Sequence, residues 1–247
     1  MLITTEGVVL KSYPFKDGSY IVKVFTPNNG MLSFIIKKTK KKSIIYQPLT
    51  ILEITYRKKE NINLFYIKDA HVLYAYQDLL FNNQKIQIAI VLSEILQKCL
   101  GEPNEDLYKF IIDSFKWLDL ARENYSGFSN LFLIKFCEIS GLRPYGALTL
   151  EQASNQQLNL QQGVFIHSDY NSNELHEGKN IVPAKESFEI FTLSKLDFKD
   201  LKNRKTSMKL DDSVFNYLLK YISIHLTDLQ SIKSLKILKE FLRNKAS

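Results

Sequence analysis

Tyr20-Ile21-Val22-Lys23-Val24-Phe25 and Met31-Leu32-Ser33-Phe34-Ile35-Ile36-Lys37, joined by Thr26-Pro27-Asn28-Asn29-Gly30, decide the fold. Both runs are rich in β-branched and aromatic residues, and the Pro-Asn-Asn-Gly link is a strong turn. Working outward, Gly7-Val8-Val9-Leu10-Lys11 reads as a preceding strand, with Lys16-Asp17-Gly18 as the turn between. Downstream, Leu49 to Tyr56 alternates in part, and Leu64-Phe65-Tyr66-Ile67 continues toward Ala70-His71-Val72. Five strands with no room for a long helix between them point to a small closed barrel of the OB type. A flat open sheet would leave long apolar edges in water.

The period changes near residue 77. Gln84 to Leu100 carries Ile88, Leu92, Ile95 and Leu96 at close to helical spacing, stopped by Gly101-Glu102-Pro103. Asn104 caps the next helix, whose face is Leu107, Ile111, Phe115 and Leu118. A third, about Ser126 to Ser140, ends at Gly141 with Pro144 beyond. Within 145–183 the Asn/Gln-rich stretch 155–162 and Gly163-Val164-Phe165-Ile166-His167 suggest a small hairpin. Lys185–Leu196, Asp211–Leu226 and a segment capped by Ser231, with Leu235, Ile237, Leu238, Phe241 and Leu242, read as further helices. The expected fold class is α+β: an N-terminal five-stranded OB-type β-barrel over 1–76, then an α-helical domain over 77–247 with a small insertion at 145–183.

The excess of positive charge is confined to the barrel. Residues 1–76 hold 12 Lys+Arg against 5 Asp+Glu, so the whole formal excess of +7 lies there. Lys37, Lys38, Lys40, Lys41 and Lys42 cluster at the end of a strand, and Arg57, Lys58 and Lys59 end the next. No core absorbs so much like charge, so these side chains meet water or a polyanion. A barrel that grips single strands needs cations for the backbone and flat rings for the bases. Tyr46, Tyr56, Phe65 and Tyr66 are the ring candidates, although a small barrel also fills its interior with such side chains.

Several function classes are disfavoured. The chain of 247 residues has no run of 18 apolar residues and no signal-peptide pattern, so a cytoplasmic protein with no membrane partner is expected, nucleoid-associated if the polyanion is DNA. Cys99 and Cys137 sit on apolar flanks and suit buried free thiols. No glycine-rich phosphate loop, H-E-x-x-H or G-x-S-x-G occurs. His167 and His176 flank a loop with Asp169 and Glu174, but that set lacks the fixed spacing of a metal site. Glu105–Asp106 and Asp211–Asp212 stand at helix starts, where the dipole favours them. No catalytic residues, metal ligands or cofactor are expected.

Together the ordered segments resemble a known family. Thr5-Glu6-Gly7-Val8-Val9-Leu10-Lys11-Ser12, Ser19-Tyr20-Ile21-Val22-Lys23-Val24-Phe25-Thr26 and the Gly30 turn with its basic tail are similar to the N-terminal domain of the bacterial RecO recombination mediators. Phe136-Cys137-Glu138-Ile139-Ser140-Gly141-Leu142-Arg143-Pro144 looks like that family's helix ending in Gly-Leu-x-Pro, and Tyr221–Leu226 with Lys233–Leu238 resembles its last helix pair. The resemblance implies a non-enzymatic protein that binds single- and double-stranded DNA and anneals strands. It further implies work with RecR, and in some lineages RecF, to help RecA replace single-strand binding protein. The acidic, Phe-ended tail of that binding protein would then meet the helical domain, where Phe132, Phe136 and Leu142, with Leu131, offer packing and Lys135 and Arg143 offer charge. Many members carry four cysteines in a zinc-binding insert after Gly-Leu-x-Pro; residues 145–183 contain none, so zinc is not expected. The alternatives are an RNA-binding OB-fold protein and a protein adaptor that does not bind DNA.

Overall fold

The computed structural model describes residues 1–37, 44–58, 62–125, 127–147, 149–167, 180–203, 213–229, 232 and 234. Two compact units arise from packing: Met1–Leu120 with the stretch from Ile232, and Ala121–Ser231. In the first unit β1 (Leu2–Pro14), β2 (Ser19–Thr26), β3 (Gly30–Lys37), β4 (Ile51–Arg57) and β5 (Leu64–Tyr74) form a closed barrel in the order β1-β2-β3-β5-β4. All neighbours are antiparallel except β3 and β5, which pair in parallel only over Ser33–Ile35 and Leu64–Tyr66. The chain is thus a five-stranded OB-type barrel followed by helices, as the strand pattern predicts.

Alternation selects the interior. Leu52, Ile54 and Tyr56 of β4 point inward while Glu53 and Thr55 stay partly exposed. They meet Val9, Val22, Val24, Phe34 and Phe65 in one apolar cluster. The rings of Phe34, Tyr56 and Phe65 fill its centre, with centroids 5.2–6.2 Å apart. Phe25 lies on the other face of β2 and is equally buried, its ring 6.4 Å from that of Tyr108.

Tyr108 belongs to α2 (Glu105–Leu120), and α1 (Asn83–Cys99) packs against β1. The strands end at Tyr74 and the helices begin at Asn83, where the period changes. The compact unit nevertheless continues to Leu120, because α1 and α2 cover the barrel's outer apolar face. The caps follow the sequence: Asn82 accepts from the amides of Gln84 and Lys85, and Asn104 from that of Leu107. Gly30 has φ +62°, and a Cβ there would collide with the Gly101 carbonyl, so the β2–β3 turn can lie against the α1–α2 loop only as glycine. Ser234 is held to this unit through its amide and hydroxyl, both of which donate to Glu94.

The β5–α1 connection is held by one carboxylate. Asp119, at the end of α2, is 2% exposed. It accepts the amides of Gln77, Asp78 and Leu79 at 2.7–3.1 Å and the Tyr74 hydroxyl at 2.9 Å. The equally buried Lys85 ammonium donates to the Asp119 carbonyl at 2.8 Å and meets Asp78 at 2.7 Å. An acid in the last turn opposes the helix dipole. The ring of converging N–H donors supplies the compensation.

In the second unit α3 (Phe128–Ile139) is buried nearly all round, which marks a central helix. Around it stand α5 (Ala184–Ser194) and α6 (Ser213–His225), with the ring of Phe198 stacked on Phe128 at 5.0 Å. The insertion is a short helix α4 (Leu150–Ser154), closed by a Thr149–Gln152 capping box, and a hairpin of β6 (Gln156–Asn159) with β7 (Val164–His167). The partner strand of β7 is the Asn/Gln-rich stretch. The buried Ser187 hydroxyl joins hairpin to α5: it accepts from the Leu158 amide and donates to the Val182 carbonyl, each at 2.9 Å. Phe165 packs edge-on against Phe191.

Cys137 is buried and Cys99 half-buried, both as free thiols; burial pushes the Cys99 thiol up to about 12. Of the expected termini and caps, Ser126, Asp211, Asp212 and Ser231, and the last helix from Leu235, lie outside the described residues. Among the described residues no helix is long and apolar enough to cross a membrane.

Candidate nucleic-acid interface

The outer face of the barrel at β5 carries two clefts. The parallel strands β3 and β5 part beyond Ile35 and Tyr66, while each remains paired on its other side. The larger cleft, of about 1040 Å³, lies there, between the ends of those strands and the short helical turn Ile44–Tyr46. Its charged lining is Lys16, Lys37 and Lys68 with Asp17 and Asp69. The smaller, of about 410 Å³, lies by the end of β4 and holds Arg57 and Lys68, with no acid in its lining among the described residues. Tyr66, Ile67 and Lys68 line both, so this piece of β5 is the ridge between them.

The ridge follows from alternation along β5. Phe65 turns into the core, which leaves Tyr66 and Lys68 on the outer face. Tyr66 is 71% exposed. It has no stacking, cation–π or hydrogen-bond partner among the described residues. Asp69 is bonded by the His71 ring at 3.0 Å, both exposed.

The structure sorts the expected residues. Lys37 and Arg57 line one cleft each; Lys58 is exposed beside Arg57 and lines neither. Lys38, Lys40, Lys41, Lys42 and Lys59 lie outside the described residues. Of the four ring candidates only Tyr66 is available. Tyr46, Tyr56 and Phe65 are 4%, 1% and 8% exposed and cannot receive a base, because the interior of so small a barrel requires them. Burial pushes the hydroxyls of Tyr46 and Tyr56 above their ordinary value, as expected of core tyrosines. Lys16 and Lys68 were not singled out from the sequence. The signal for Lys68 is its place two residues after Tyr66 on a strand, which puts both on one face.

The candidates of the helical domain separate in the same way. Phe132 and Phe136, like Leu131, are core residues of α3 at 0–1% exposure and present no surface to a partner, a correction forced by the all-round burial of that helix. Lys135 is committed to Glu138 at 3.0 Å and to the Ser194 carbonyl at 2.9 Å. Leu142 is half-buried and Arg143 exposed, its Nε 3.6 Å from Glu138. His167 is exposed, while His176, Asp169 and Glu174 lie outside the described residues. Among the described residues no group of three or more His, Cys, Asp or Glu could hold a metal ion.

A family model described as "Recombination protein O N terminal" matches residues 1–76, the barrel. Full-length relatives carry the description "DNA repair protein RecO". One from Phocaeicola vulgatus is 30% identical over 97% of this chain and 99% of its own length. Others from Christiangramia forsetii and Azobacteroides pseudotrichonymphae are 28% and 25% identical, over 97% and 96% of this chain and 99% and 98% of their own.

Proposed function

We propose, from a chain that belongs to the RecO family of DNA repair proteins, that it is a DNA-binding recombination mediator without catalytic turnover. It binds single- and double-stranded DNA through the barrel, anneals complementary strands, and with RecR helps load RecA onto strands covered by single-strand binding protein, with RecF as a further partner. The observation that carries the DNA-binding reading is the placement of Lys37, Arg57 and Lys68 around two clefts of an OB-type barrel, beside an exposed ring. Phosphate contacts supply most of the affinity of such a surface and make it depend on salt. Lys38, Lys40, Lys41 and Lys42 extend the same cationic track in sequence.

Each phosphate contact contributes about 0.7 to the log–log salt slope for single strands. The triple change Lys37→Ala, Arg57→Ala, Lys68→Ala is therefore expected to flatten the slope by about two. Anisotropy of a labelled oligonucleotide over a salt series measures it, with strand annealing as the functional readout. An unchanged slope removes these residues from the interface. Equal or tighter binding of RNA of the same sequence favours the RNA-binding reading, and retained RecR capture without DNA affinity favours the adaptor.

The tail of single-strand binding protein docks on the helical domain near the end of α3. With Phe132 and Phe136 in the core, the residues left to receive it are Leu142 and Arg143. A guanidinium holds a carboxylate in a bidentate fork. Arg143→Glu is expected to weaken tail-peptide binding about tenfold or more, roughly 1.4 kcal/mol. Equal binding by the folded variant would place the site elsewhere.

A further inference from the structure

We infer that Tyr66 is a base-stacking platform that makes the barrel favour single-stranded over duplex DNA; the inference rests on the DNA-binding reading above. Tyr66 stands on the ridge common to both clefts, so a strand passing from one to the other crosses its ring. Cations wait on either side, Arg57 in the smaller cleft and Lys37 in the larger, with Lys68 on the ridge itself. Lys68 follows Tyr66 by two residues on the same face, about 7 Å along the strand. A base lying on the ring thus brings its own phosphate within reach of that ammonium.

The ring is free to take a base. At 71% exposure it buries little of its surface in the barrel. Core packing does not require it there, because the inward-facing neighbour Phe65 already fills the interior beside Phe34 and Tyr56. Selectivity follows from what a ring can touch. Unpaired bases expose their faces and stack on aromatic side chains. In a duplex those faces are covered by neighbouring base pairs, so the same surface meets only phosphates through its cations. Tyr66 therefore adds affinity for single strands alone.

The test compares wild type, Tyr66→Ala and Tyr66→Trp on a single-stranded oligonucleotide and a blunt duplex at matched salt. Tyr66→Ala is expected to weaken single-strand binding at least about fivefold, since one base stacked on an aromatic ring contributes that much or more. Duplex affinity should stay within about twofold and the salt slope should not change, because the ring neutralises no phosphate. Tyr66→Trp should retain single-strand affinity, and its added indole should be quenched by single strands beyond the background of Trp117, the one native tryptophan. Unchanged single-strand affinity in Tyr66→Ala, or an equal loss on both substrates, overturns the inference and leaves the DNA-binding reading standing. A wild-type protein that binds neither substrate at low salt overturns that reading, and this inference with it.

Discussion

Replacing Asp119 with Ala is expected to lower the stability of the barrel-containing unit by at least about 3 kcal/mol, because it removes the shared charged acceptor of the buried Leu79 amide and of three further donors at the edge of the core. Three amides, of Gln77, Asp78 and Leu79, and the Tyr74 hydroxyl converge on this carboxylate. Urea unfolding followed through Trp117, which lies in α2 two residues away, reports on the unit directly. Asp113→Ala on the exposed face of the same helix is the control and should stay within about 0.5 kcal/mol. A loss of less than about 1 kcal/mol in Asp119→Ala would mean that the connection is held by Lys85 and packing instead. The acid dependence carries a sign of its own. Burial pushes the Asp119 carboxyl up, but the amides of Gln77, Leu79 and Asp78 and the Tyr74 hydroxyl more than offset it and hold the group below its ordinary value. A folded value below the unfolded one means that the stabilisation is fully present above about pH 4. It is lost as the pH falls through the folded value. Wild type should therefore lose stability in that acid range relative to Asp119→Ala, and the two should converge.

Phe34→Ala should be as damaging, at about 3–5 kcal/mol, by opening a cavity at the centre of the barrel. Phe34 is fully buried, with Tyr56 and Phe65 as ring neighbours at 5.2 and 6.2 Å. Tyr66→Ala, on the strand that carries Phe65, should change stability by no more than about 0.5 kcal/mol. The pair separates ring from ring. The first variant loses its fold and any DNA binding together, and the second keeps its fold. Comparable urea midpoints for the two would contradict the assignment of one ring to the core and the other to the surface.

How far the sequence reaches can be judged from these residues. The order of the five strands, and the approximate limits of β2 to β5, were readable, because period-two runs broken by Asn, Gly and Pro are a local property. Helices α1, α2, α3, α5 and α6 were readable for the same reason, although the Asn82 cap and the Thr149–Gln152 capping box were passed over. α4 was missed because five residues are too few to show a period. β1 reaches from Leu2 to Pro14, well beyond the Gly7–Lys11 expected, because its ends are held by pairing with β4 and β2 rather than by apolar content.

By itself the sequence determined a basic barrel followed by helices, since charge balance and hydrophobic period need no knowledge of what lies across the chain. It also determined that Phe65 and Tyr66 face opposite sides, because neighbours on a strand always do. Which of them faces inward was decided only when β5 closed against β3 and β4. Tyr46 lies in a helical turn with no alternation to read, and only closure buries it. Phe132 and Phe136 looked available while α3 was considered alone, and they became core when α5 and α6 packed around it. Asp119 gave no local sign of its role, because its donors lie about 40 residues earlier in the chain. Burial and hydrogen bonding between segments distant in sequence depend on the closed tertiary structure, and it is these that choose the exposed ring, the paired cations and the anchoring carboxylate.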